Sequence, residues 1–158
     1  MELEKTLFML KPEAVESPEL SMVIIEELES IGNCKLIDAV KVNAVTREQI
    51  EAFYQEAYQR RGEEMRTYLE YFVGKPVILV LYQGDNIIRR VKEKVGDTDP
   101  LKASPDTIRG KFGTDSLEAA QKENNRAVLN LVHAPGSREE FEQNLGVFKS
   151  YFEGCGVS

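Results

Sequence analysis

The chain has 158 residues, 42% of them hydrophobic and 30% charged, which is the balance of one ordinary globular domain. Its net charge of −7, from 27 acidic and 20 basic residues, argues against a general binder of nucleic acid or anionic membranes, because the long-range field repels phosphate polymers. The apolar run Pro76 to Tyr82 is far too short to span a bilayer, and Met1 to Leu10 lacks the form of a signal peptide.

Two cysteines, Cys34 and Cys155, show neither pairing nor metal spacing, so unbridged thiols in the cytoplasm are expected. A local cluster of Lys and Arg can still hold a small phosphate ligand on an otherwise acidic surface.

In chain order, Lys5 to Leu10 reads as a short buried strand. Ser17-Pro18 opens a helix, with the hydroxyl as N-cap and proline in the first turn; Leu20, Ile24, Leu28 and Ile31 form its stripe, and Gly32 ends it. Cys34 to Val42 reads as a second strand. Thr46 and Gln49 form a capping box for a helix with Ile50, Phe53, Tyr54, Ala57 and Tyr58 on one stripe, closed by Gly62. A further helix carries Met65, Tyr68, Leu69 and Phe72 before Gly74.

Pro76 to Tyr82 is almost wholly apolar and β-branched, which predicts a central strand. Asp85 is expected to cap a helix with Ile88, Val91 and Val95 inward, ended by Gly96. From Asp97 to Asn125 periodicity fades, and a binding loop or disordered insert is expected. Val128 to Val132 reads as a last strand. Ser137 and Glu140 cap a final helix bearing Phe141, Leu145, Phe148 and Phe152. The order β-α-β-α-α-β-α-β-α suits an α+β fold: a ferredoxin-like sandwich, with a four-stranded, mainly antiparallel sheet and helices packed on one face.

There is no Walker A sequence, no GxGxxG after a strand, no GxSxG and no Cys/His pair. What remains is a set of basic and hydroxyl residues at element ends, and one imidazole, His133. A neutral imidazole suits phosphoryl capture, because its pKa near neutrality leaves a nucleophilic lone pair. Phosphoryl transfer otherwise asks mainly for positioning and charge stabilisation. In the run Asn130-Leu131-Val132-His133 the two polar side chains face opposite sides unless the strand bends or bulges.

Leu10-Lys11-Pro12, Gly96-Asp97-Thr98-Asp99-Pro100, Pro105-Asp106-Thr107-Ile108-Arg109-Gly110-Lys111-Phe112 and Asn130-Leu131-Val132-His133 occur in that order. In these fragments and their spacing, the chain resembles nucleoside diphosphate kinases over nearly its whole length, as one domain (1–158) with an inserted loop at about 113–128. The resemblance implies Mg²⁺-dependent transfer of the γ-phosphate of ATP, or another nucleoside triphosphate, to a nucleoside diphosphate. It implies a ping-pong mechanism with a phosphohistidine at His133. Lys11 would contact the transferring phosphate, and Tyr54 would sit beside the histidine. Thr98, Arg109 and Lys92 would bind phosphates, Asn130 the ribose, and Met65 would offer a flat contact to the base. Mg²⁺ would travel with the nucleotide, without protein ligands. A homo-oligomer, a dimer-based tetramer or hexamer, is also implied.

The chain departs from the family pattern near the histidine. Ala134-Pro135-Gly136-Ser137 stands where Gly-Ser-Asp is usual, and Asn144 aligns with the acidic partner of the imidazole. Lys92 replaces an arginine, keeping the charge but losing the bidentate fork, with Arg89 a less well placed alternative. Asn124-Asn125-Arg126 lies in the long segment beside the nucleotide site. These departures leave open a relative that binds nucleotide but transfers phosphate weakly, and a third reading makes the fold an interaction module.

Overall fold

The computed structural model describes residues 3–124 and 126–152, so Asn125 and Cys155 lie outside the described residues. Strand β1 (Leu3–Leu10) runs into a four-residue helix, α1 (Pro12–Val15), and then α2 (Pro18–Glu29). Strand β2 (Cys34–Val42) leads to α3 (Arg47–Phe53), α4 (Gln55–Arg61) and α5 (Glu64–Phe72). Strand β3 (Val77–Asp85) and α6 (Ile87–Val95) follow, then two short helices, α7 (Ile108–Phe112) and α8 (Leu117–Lys122). The two-residue strand β4 (Val132–His133) precedes α9 (Arg138–Phe148).

The strand order is β2-β3-β1-β4, and every pairing is antiparallel. With α2 and α6 as the two crossovers, this is the expected ferredoxin-like sandwich. The alternation of side chains along β1 and β3 fills two cores, one on each face of the sheet. Phe8, Leu10, Val80 and Tyr82 pack with Ile24 and Leu28 of α2, Val91 of α6 and Ile108 of α7. Leu7, Met9, Leu79 and Leu81 pack with Ile50 of α3, Phe72 of α5 and Phe148 of α9. Helices on one face alone were expected, and the structure corrects this. A strand apolar on both sides, as β3 is, needs both faces covered.

The capping signals hold at three helices. Ser17 accepts from Leu20 N, Thr46 and Gln49 close a capping box, and Ser137 accepts from Glu140 N. The fourth does not: Asp85 is the last residue of β3, and Asn86, at φ 51, is the residue that enters α6. The Glu4 carboxylate, from the neighbouring strand, instead accepts from Ile88 N at 3.0 Å. The single helix expected after Thr46 is broken at Tyr54, which leaves helical geometry (φ −102, ψ 24) between α3 and α4.

The expected irregular stretch contains α7 and α8. Thr107 and Ser116 cap them through their hydroxyls. Asp115, just before α8, binds the guanidinium of Arg126, beyond it, through both nitrogens (2.6 and 2.9 Å) and accepts from Leu129 N at 2.8 Å. The 113–128 segment is thus fastened to its own base, and Arg126 is committed to that fastening.

The last strand is much shorter than Val128 to Val132. Leu131 has φ 76, and Val132 N donates to Asn130 O at 2.9 Å, which makes a tight three-residue turn in the left-handed region. That turn is uncommon for a branched apolar side chain and holds only where its surroundings fix it.

Candidate active site

The sheet itself brings the first two groups together. His133 lies opposite Met9 on β1, so both side chains project to the same face. Lys11, two residues beyond Met9, is fixed by its backbone N–H bond to Leu131 O at 2.9 Å. The Leu131 turn resets the alternation, so Asn130 reaches the same cluster instead of facing away.

Lys11 is only 2% exposed, and its ammonium is held by Tyr68 Oη and Asn130 Oδ1. Asn130 donates through Nδ2 to Thr98 O at 3.0 Å. Tyr68 Oη donates in turn to Tyr54 Oη at 3.3 Å. Burial, followed by the neighbouring Tyr68, holds the Tyr54 hydroxyl well above the usual phenol range, so it stays protonated.

Arg109 is 4% exposed and clamps the strained turn. Its guanidinium donates to Val132 O at 2.7 Å, Asn130 O at 3.3 Å and Gly96 O at 3.1 Å. Lys92 donates to Ala134 O at 3.1 Å. It therefore points at the histidine strand instead of lying on a solvated face. Burial, then the charge on Arg109, lowers its pKa, while Glu140 opposes the shift. Arg89, by contrast, is exposed and pairs with Glu93 at 3.7 Å.

His133 packs edge-on against Phe53 and Tyr54, with ring centroids 4.9 and 5.2 Å away. Its Nε2 lies 2.9 Å from Asn144 Oδ1. The Asn144 amide is oriented by its own bonds, Nδ2 donating to Phe53 O at 3.2 Å and to Gln143 Oε1 at 2.8 Å. Its oxygen must therefore face the ring, so Nε2 carries the hydrogen and the lone pair sits on Nδ1. Burial first, then the charges of Lys11, Lys92 and Arg109, lower the imidazole pKa to about 3, although the Asn144 bond pulls the other way. The ring is thus neutral at physiological pH, with a nucleophilic nitrogen among three cations.

The structure gathers Lys11, Tyr54, Lys92, Arg109, Asn130, His133 and the Thr98 carbonyl. The Thr98 side chain is exposed on the loop above. Met65 is the exception: it is 4% exposed in the core with Phe53, Leu69 and Phe72, so it offers no open face to a base. Its place on the stripe of α5 is a packing position. The residue that sequence reading missed is Tyr68, one turn further along α5, whose hydroxyl contacts Lys11. Its only signal was a polar tip on an otherwise apolar stripe.

The family model for nucleoside diphosphate kinase matches residues 4–153. A nucleoside diphosphate kinase of Thermosipho melanesiensis is 34% identical over 149 residues, covering 94% of this chain and 90% of its own. The crystal structure of an NDP kinase from Pyrobaculum aerophilum is 30% identical, with a TM-score of 0.78, covering 93% of this chain and 96% of its own. A Borrelia burgdorferi nucleoside-diphosphate kinase, solved as a transition-state mimic with bound vanadate and ADP, shares the fold at a TM-score of 0.83 and 24% identity. It covers 92% of this chain and 86% of its own. The match along the whole sheet and through the histidine strand is the match of a relative, and the chain belongs to the nucleoside diphosphate kinase family.

Proposed function

We propose that the chain moves the γ-phosphate of ATP or another nucleoside triphosphate to a nucleoside diphosphate through a phosphohistidine at His133. The observation that carries this reading is the Nε2 bond to Asn144, which leaves the Nδ1 lone pair available. In the first half-reaction Nδ1 forms a bond to the γ-phosphorus. The phosphorus–oxygen bond to the bridging oxygen breaks, and its electron pair leaves with the diphosphate. The second half-reaction is the reverse, onto a different diphosphate.

Lys11 would exchange its bond with Tyr68 Oη for one with the transferring phosphate, a charge-assisted contact. Arg109 and Lys92 supply further positive potential beside the same nitrogen. Thr98 would bind phosphate and Asn130 the ribose. Mg²⁺ would enter bound across the nucleotide phosphates, as part of the substrate. A cytoplasmic protein of one domain, assembled from dimers, completes the reading; among the described residues no helix is long and apolar enough to cross a membrane.

The test is a two-step transfer. Phosphoenzyme made with ATP and freed of nucleotide is mixed with GDP, and GTP is measured by chromatography. Stoichiometric GTP supports the mechanism. Transfer seen only when ATP and GDP are present together refutes a ping-pong route.

A further inference from the structure

The reaction proposed above places a positive charge on the imidazole as Nδ1 bonds to phosphorus, because Nε2 keeps its hydrogen throughout. The three cations around the ring, Lys11, Lys92 and Arg109, all oppose that charge. Asn144, which holds Nε2, is neutral and offers only a dipole. One carboxylate faces the same nitrogen: Glu140 Oε2 lies 3.6 Å from His133 Nε2.

Glu140 sits one helical turn before Asn144 on α9, so both side chains rise from the same stripe of the helix. Its other oxygen is fixed, with Oε1 accepting from Gly136 N at 2.8 Å. The Gly136 bond comes from the chain between His133 and α9, so the loop that holds the histidine also aims the carboxylate. Glu140 lines a cleft of about 410 Å³ with Phe53 and Tyr54, the two rings that flank the imidazole. Its side chain is 34% exposed and that of His133 12%, so the pair is partly shielded from water.

On these grounds we propose that Glu140 is the residue that balances the charge on the phosphorylated imidazole, a positioning and electrostatic role exercised through His133. The inference rests on the phosphohistidine reading. Asn144 sets the tautomer, and Glu140 supplies the negative charge that Asn144 lacks.

Glu140→Gln separates charge from shape, because glutamine keeps an oxygen for Gly136 N. Rapid-quench labelling with radioactive ATP gives the rate of phosphoenzyme formation, and titration with ADP gives its equilibrium. Loss of the carboxylate should lower both by about tenfold, the size of one partly shielded charge-assisted interaction, with nucleotide affinity and melting temperature unchanged. A Gln variant within twofold of wild type on both measures overturns the assignment, as does a loss confined to melting temperature. Labelled wild type with an unchanged Gln variant sinks this inference alone; wild type that takes no label sinks the phosphohistidine reading along with it.

Discussion

Asn144→Leu tests the tautomer argument at its root. Leucine has the same branching and the same number of side-chain heavy atoms as asparagine, so the change removes hydrogen bonds without opening a cavity. Asn144 is 1% exposed and serves two groups that water cannot easily reach, His133 Nε2 at 2.9 Å and Phe53 O at 3.2 Å. Each buried group left without a partner costs about 1–3 kcal/mol, so the variant should lose about 2–6 kcal/mol in urea denaturation. A typical domain stability of about 5–15 kcal/mol leaves most of that range folded. The functional loss should be separate and larger than the loss of folded protein. Without the Oδ1 acceptor the ring is free to carry its hydrogen on Nδ1, and the nucleophilic lone pair is then no longer fixed. Rapid-quench labelling at a temperature where the variant is fully folded should show phosphoenzyme forming about 10–100-fold more slowly. A folded variant labelled at the wild-type rate would refute the reasoning, because the tautomer would then be set by something other than Asn144.

Other predictions follow from the same geometry. Lys11→Met should leave the fold intact by circular dichroism but lower the rate of phosphoenzyme formation by about 10²-fold or more, because the buried ammonium leads the three cations that act on the imidazole and would meet the incoming phosphate. Arg109→Ala should destabilise by about 3 kcal/mol in urea and slow labelling, because the two carbonyls flanking Leu131 and that of Gly96 lose the guanidinium that binds them. His133 is held neutral in the folded state, with a pKa near 3 against about 6.5 unfolded, so the unfolded chain binds the extra proton between these values. Stability should therefore fall as pH drops from about 6.5 towards 3, by at most about 5 kcal/mol, and His133→Gln should flatten that slope. Asp115→Ala should cost about 2 kcal/mol and raise proteolysis of the 113–128 segment, while labelling of His133 stays at the wild-type rate.

The parts of the fold legible in the sequence are those fixed by local chemistry. Ser17, Thr46 and Ser137 mark their helices because a side-chain oxygen bonding a free N–H is a short-range event. The continuous apolar run of β3 announced a central strand, and the same run carried the information that both faces are covered. The features that were not legible depend on distant partners. Leu131 adopts its tight turn because Arg109, 22 positions earlier in the chain, bonds the carbonyls on either side, and no local signal encodes that. Helices α7 and α8 are too short for a period to show against a Gly- and Asp-rich background. At the site, residue identity was readable at Lys11, Arg109, Asn130 and His133 because fragments of the family pattern surround them. The roles of Tyr68 and Glu140 were not, because each acts across elements that only the fold brings together.

The most direct measurement is the intact mass of the protein after incubation with ATP and Mg²⁺, before and after mild acid. A gain of one phosphoryl group per chain, stable in alkali, lost in acid and absent from His133→Ala, is the predicted result. A wild-type protein that binds ATP but gains no mass, or a His133→Ala variant that gains as much as wild type, would contradict the account.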